Sequence, residues 1–138
     1  MQQYLIMSIN DFKYAISLEY VVEVLKEGVA LPLLGRNNKE IVGLAKVREE
    51  VMPLVNGNYI YANEEKKGSF WVVLERSGKK LALTVSAATD LIEAVIEVMQ
   101  GSQDKIIKTA TGDVVSVVEA VDLFNKYMGQ DSRQELEA

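Results

Sequence analysis

Histidine and cysteine are both absent from the chain. Without histidine there is no imidazole general base, no Ser-His-Asp or Cys-His arrangement and no His-ligated zinc. Without cysteine there is neither a disulfide framework nor a thiolate metal site, a composition that suits the cytosol. No glycine-rich phosphate loop is present. No apolar run approaches the roughly 20 residues needed to span a bilayer, and the opening MQQYLIMSIN is a strand pattern rather than a secretion signal. Positive charge is also scarce: 15 basic against 20 acidic side chains leave a formal net charge of -5. An acidic chain is a poor ligand for phosphate backbones. Nor is there a basic amphipathic helix to hold an anionic membrane. These absences predict a cytoplasmic protein with no nucleic acid partner, no membrane insertion and no cofactor. An enzyme of this composition is left with carboxylate or lysine chemistry.

What is present is an ordinary globular balance, 49% hydrophobic and 25% charged over 138 residues, enough for one domain or two small lobes sharing a core. The most legible stretch is Ile41–Asn56. Its apolar runs Ile41–Ala45 and Val51–Val55 flank the charged Arg48-Glu49-Glu50, the pattern of a hairpin. Pro53 cannot donate to a ladder, which predicts an edge strand or a bulge. Gly43 predicts a bend or a close backbone approach.

The rest of the chain repeats this pattern. Gln3–Ile9 and Phe12–Ser17 flank the turn dipeptide Asn10-Asp11 as a first hairpin. A helical turn at Leu18–Tyr20 leads into a strand at Val22–Lys26. A long connection follows, in which Leu31, Leu33 and Leu34 are expected to pack down. Glu64-Glu65-Lys66-Lys67 is a solvated turn. Ser69–Arg76 and Lys79–Ser86 make another hairpin around Ser77-Gly78. Ala87–Met99 fits two templates. Leu91, Ala94, Val95 and Val98 share a helix face behind a Thr89 cap, which periodicity favours slightly, whereas Ile92, Ala94, Ile96 and Val98 share one side of a strand. A loop at Gly101–Asp104 precedes a last hairpin, Lys105–Ala110 with Val114–Val118. Glu119–Met128 is a helix with Ala120, Val121, Phe124, Tyr127 and Met128 on its apolar stripe, ended by Gly129. Gln130–Ala138 is a polar tail. Strand patterns at a spacing of about 8–12 residues point to small antiparallel barrels.

The central hairpin also carries a family resemblance. Gly43, Leu44, Ala45, Lys46, Val47, Arg48, Glu49 and then Met52-Pro53-Leu54 resemble, in full spacing, the hallmark of the CheW-like domain family of bacterial chemotaxis. Three identities depart from the pattern: Glu49 stands where the family has glycine, Lys46 where it has asparagine and Asn56 where it has aspartate. A positive φ at Glu49 would be strained. Weaker echoes are Val21–Val24, Leu31-Pro32-Leu33 and Leu81–Val85, so the resemblance spans roughly Gln3–Met128.

The resemblance implies a mainly β fold of two small SH3-like five-stranded antiparallel barrels with a C-terminal helix, and an extended Ala87–Met99. It sets lobe 1 at roughly residues 12–65 and lobe 2 at roughly 66–128, with the N-terminal strand a candidate to be shared. It implies a non-catalytic adaptor with two partners, the regulatory domain of a CheA-type histidine kinase and the cytoplasmic tip of a chemoreceptor. Arg48, with Val47, Val22 and Glu23, is the implied partner-binding set. Val22 and Glu23 border a groove for a receptor helix, a mode that needs an apolar strip with a few orienting charges.

Plainer readings stand beside these. Arg48 is also a solvated turn arginine pairing loosely with Glu49 or Glu50. Glu23 is also the solvent face of a strand. Phe70, Trp71 and Tyr61 are core aromatics sooner than a ligand site. Asp90, Glu93 and Glu97 lack the convergence a hard cation needs. Two other functions stay open: a divergent CheW-like module in a non-motility pathway, and a carboxylate- or lysine-dependent enzyme.

Overall fold

Short β-branched runs separated by tight polar turns dominate the sequence, and they form strands because each can pack side chains on both faces of a pleat. In the structure, a computed structural model that describes residues 2–32, 39–64, 67–98 and 104–129, the elements follow one another closely. They are β1 (Gln2–Ile9), β2 (Phe12–Ser17), a 3-10 turn at Leu18–Tyr20, β3 (Val21–Lys26), β4 (Val29–Leu31), β5 (Ile41–Val47), β6 (Glu50–Val55) and α1 (Gly57–Ala62). Then come β7 (Phe70–Arg76), β8 (Lys79–Val85), β9 (Ala87–Ala94), β10 (Ile96–Val98), β11 (Lys105–Lys108), β12 (Val114–Val118) and α2 (Ala120–Tyr127).

The fold is mainly β, with two lobes and a C-terminal helix, as the resemblance implied. One sheet has the order β10-β11-β12-β2-β1-β9 and the other β3-β7-β8-β6-β5-β4. Each order begins and ends on two pieces of one bent segment: β9 and β10 meet at Val95, and β3 and β4 meet at Glu27-Gly28. Counted as continuous segments, each six-stranded sheet is therefore five-stranded, with the bend as its seam. The pairing is not antiparallel throughout: β12 runs parallel to β2 and β6 parallel to β8.

The lobes do not divide the chain at residues 65 and 66. Hairpin β7–β8 pairs with β3 and β6, so the first lobe takes residues 21–85. Hairpin β1–β2 pairs with β9 and β12, so the second takes residues 2–17 with 87–118. The physical reason is partner availability: β1 has a ladder with β9 from Gln2↔Ala94 to Ser8↔Ala87. The same ladder decides against a helix over Ala87–Ala94. Met99, Leu33, Leu34, the Gly101–Gln103 part of the expected loop and the tail from Gln130 lie outside the described residues.

Three apolar clusters hold the lobes. Trp71, Val73, Leu54, Met52, Ala45 and Val47 fill the first lobe. Tyr4, Ile6, Ala15, Ala94, Ile107 and Val115 fill the second. Between them, Leu5, Met7, Ile9 and Ile16 from one sheet meet Val72, Leu74, Leu81, Leu83 and Val85 from the other, and Leu123 and Phe124 of α2 seal the seam. Leu31, expected to pack down, is instead half exposed on the short outer strand β4, which sequence reading had treated as loop.

Pro53 is not on an edge, because β6 lies between β5 and β8. It is tolerated because the parallel ladder with β8 covers only Leu54 and Val55, so one flank of Pro53 carries no ladder. Gly43 behaves as expected. The register shifts between Ile41 and Gly43, its φ is 155°, and a Cβ there would overlap the Leu31 carbonyl of β4. Gly43→Ala is expected to lower stability by at least about 2 kcal/mol, read as a lower urea midpoint at unchanged slope. Gly78→Ala, with φ of 81° but nothing near its Cβ, is expected to cost only about 1 kcal/mol.

Candidate partner-binding surface

Turn Arg48-Glu49 closes hairpin β5–β6, since Val47 and Glu50 are register partners. The left-handed residue of this turn is Arg48, with φ of 57°, and Glu49 is not in that region. The anticipated strain at Glu49 therefore does not arise. Arg48 does not pair with Glu49 or Glu50. Its Nη2 donates to Oε1 of Glu23 at 2.8 Å and its Nε to Oε2 at 3.2 Å, a two-point contact across the rim of the first lobe. Glu23 holds the guanidinium charged by accepting these bonds, raising the arginine's affinity for its proton. Glu50 is taken by Lys80 at 2.6 Å, so two ion pairs line the same rim.

The four expected site residues separate in space. Glu23 shares the sheet face of Val73 through its register, which turns it toward the rim and leaves its side chain 25% exposed beside Arg48 at 76%. Val22 lies at the register shift of β3 and, with Val24, is exposed on the opposite face. Val47 is buried in the first lobe's core and presents no surface, because alternation turns it inward with Ala45. The structure thus brings Arg48 and Glu23 together, leaves Val22 exposed on the other face of β3, and withdraws Val47.

A groove of about 460 Å³ lies between the lobes, lined by Tyr14, Ile60, Tyr61, Leu123, Lys126 and Tyr127 among others. Neither Val22 nor Glu23 lines it. Tyr14 donates its hydroxyl to the Tyr61 carbonyl at 3.3 Å, and their rings lie 5.3 Å apart. Burial, with Asp122 and Tyr14 nearby, holds the Tyr61 phenol protonated. At the groove's end Tyr127 donates to Oε1 of Glu40 at 2.6 Å, and Lys126 stands 3.3 Å from the same oxygen.

The CheW-like domain family model matches residues 3–125. The chain belongs to the CheW-like domain family. Its fold is also that of the scaffolding protein TtCheW from Thermoanaerobacter tengcongensis, a crystal structure that it matches with a TM-score of 0.73 at 17% identity, over 86% of this chain and 84% of that one. A comparison with curated protein sequences finds no match.

Within this CheW-like domain the departures from the family pattern are structurally mild. Asn56 does the work of a helix cap: it is buried, and its side chain accepts from the Tyr59 N–H at 3.2 Å, as an aspartate would. Lys46 is exposed on the outer face of β5. Phe70 and Tyr61 pack against the inter-lobe core and Trp71 is buried in the first lobe, its indole N–H finding no acceptor among the described residues. Asp90 and Glu93 lie an odd number of residues apart on β9 and so point to opposite faces, with Glu97 on β10. Among the described residues no group of acids converges as a metal site. No helix among them is long and apolar enough to cross a membrane. Glu64 and Lys67 are exposed, and Glu65 and Lys66 lie outside the described residues.

Sequence reading missed α1, the Glu40–Tyr127 contact and the buried Asn58. The signals for α1 were Asn56 as cap and Asn63, which ends the helix in the left-handed conformation. The Tyr127 hydroxyl holds the Glu40 carboxyl below the usual glutamate range, with Lys126 adding to the effect. A lowered folded value means the contact stabilises at neutral pH and is lost as pH falls through that value. In an NMR titration Glu40 is expected to titrate below an ordinary glutamate, and Tyr127→Phe to move its midpoint up. An unmoved midpoint in the variant would show that the Tyr127 hydroxyl is not the cause of the shift.

Proposed function

We propose that this chain is a non-catalytic cytoplasmic adaptor of bacterial chemotaxis signalling, coupling chemoreceptors to a CheA-type histidine kinase through protein contacts. The observation that carries the reading is the Arg48–Glu23 pair on the rim of a CheW-like lobe. The pair uses Nε and Nη2 of the guanidinium, and with the side chain 76% exposed the Nη1 donors remain open to a partner. Held in one orientation by Glu23, those donors lose less freedom on meeting a carboxylate or carbonyl of a partner.

In this reading the kinase's regulatory domain docks on the β5–β6 tip through Arg48. The receptor helix lies against exposed apolar side chains, with Val22 and Val24 supplying a strip on the face of β3 opposite Glu23. The groove between the lobes, where Tyr14, Tyr61 and Tyr127 stand among charged residues such as Glu119, Asp122 and Lys126, offers a second, mixed surface for a partner. Glu49 adds a carboxylate to the tip, so the partner surface is expected to carry basic as well as acidic groups.

Titration calorimetry with a purified CheA regulatory domain tests the adaptor role directly. Heat of binding and a complex on a sizing column are expected; neither heat nor complex would reject it. Arg48→Asn removes the charge but suits the left-handed turn, so it is expected to weaken binding at least about tenfold. Its melting temperature should stay within the small range typical of surface substitutions, about 0.5 kcal/mol in stability. A large fall in melting temperature would make Arg48 a structural residue instead.

A further inference from the structure

The two halves of the chain are built alike. Residues 2–63 run hairpin, bent strand, hairpin, helix, and residues 67–129 run in the same order. The ladders are reciprocal. β1 pairs with the bent strand of the second half and β7 with that of the first, while β2 lies parallel to β12 and β8 parallel to β6.

The registers then match residue with residue. Trp71 faces Leu25 as Tyr4 faces Ile92, and Val73 faces Glu23 as Ile6 faces Asp90. Ala82 lies beside Leu54 as Ala15 lies beside Val117. Met52 faces Ala45 as Val115 faces Ile107. The irregularities repeat as well: the register passes over Val22 in β3 and over Thr89 in β9. Exposure follows the same equivalence, with Val29 at 62% and Val95 at 61% just where each bent strand turns. Each lobe is therefore one unit of a repeated design, closed by the leading hairpin of the other unit.

We infer that the same trade runs between two chains, and that a second copy of this chain is a partner in a dimer of exchanged halves. In that dimer residues 2–63 of one chain combine with residues 67–129 of the other. Every ladder and core contact between halves is kept, and only the path from Glu64 to Gly68 differs. The anchors on either side of that path survive too, since Glu64 N donates to the Asn58 carbonyl and Gly68 N to the Asn58 side-chain oxygen at 2.8 Å. Within one chain the halves meet at an effective concentration of order millimolar, so the closed monomer prevails at dilution and exchange competes near that concentration. The inference is independent of the adaptor reading.

The absence of cysteine makes the test clean. Ser8 and Ala87 are register partners across the two halves. Neighbouring strands bring Cα atoms within the range a disulfide needs. The full-length S8C/A87C variant is unfolded and refolded under oxidation at about 10 µM and at about 1 mM, one far below the effective concentration and one near it. At the lower concentration an intrachain disulfide and a monomer are expected. At the higher, a substantial fraction should run as a reducible covalent dimer on a non-reducing gel, well above that formed by S8C alone. Intrachain disulfide alone at both concentrations, or as much dimer from S8C, would overturn the inference. Should the double variant misfold, the unmodified chain refolded at about 1 mM and then diluted serves instead. A dimer that survives dilution while folded and gives monomer once unfolded and refolded at about 10 µM supports exchange, and monomer throughout overturns it.

Discussion

Strands β1, β7 and β8 are buried on both faces, and everything else in the molecule follows from how their side chains are shared. Leu5, Met7 and Ile9 serve the core between the lobes, while Tyr4 and Ile6, one residue out of step, serve the second lobe's own core. Val72 and Leu74 against Trp71 and Val73 do the same in the first lobe. A slip of one residue would exchange the two sets, so register is pinned by both cores at once. The lobes cannot rotate against each other without breaking a shared packed layer, which fixes the rim of the first lobe relative to the groove between them.

The rim pair shows what a fixed scaffold permits. A left-handed arginine costs about 1 kcal/mol relative to glycine or asparagine. The turn nevertheless holds Arg48 there, with its guanidinium oriented by a glutamate 25 positions away in the chain. Strain of this kind concentrates where side-chain chemistry outweighs backbone preference. The three departures from the family pattern leave this arrangement intact, because Glu49 avoids the left-handed position and Asn56 still caps its helix.

Hairpins were legible in the sequence because their information is local: alternating apolar residues and turns such as Asn10-Asp11 or Ser77-Gly78 need no knowledge of the rest of the chain. The C-terminal helix was legible for the same reason, through its stripe and Gly129. Helix α1 was not, since six residues containing Gly57, Asn58 and two tyrosines carry no apolar period and depend on capping by Asn56. The partner of Arg48 was illegible because Glu23 lies on a different strand with no spacing rule joining them. The division into lobes failed on the same ground. A period-two pattern says that β1 and β7 are strands, but not which of two similar barrels each will enter.

That crossing of hairpins shapes how the chain must be made. Hairpin β1–β2 leaves the ribosome before its ladder partners β9 and β12, which end near residue 118. At synthesis rates of about 5–20 residues per second, the apolar run Tyr4–Met7 waits on the order of ten seconds for a place to go. Hairpin β7–β8 has no such delay, because β3 and β6 precede it. The first lobe can therefore form before the second, which makes the waiting hairpin β1–β2 the point where chaperones have most to protect.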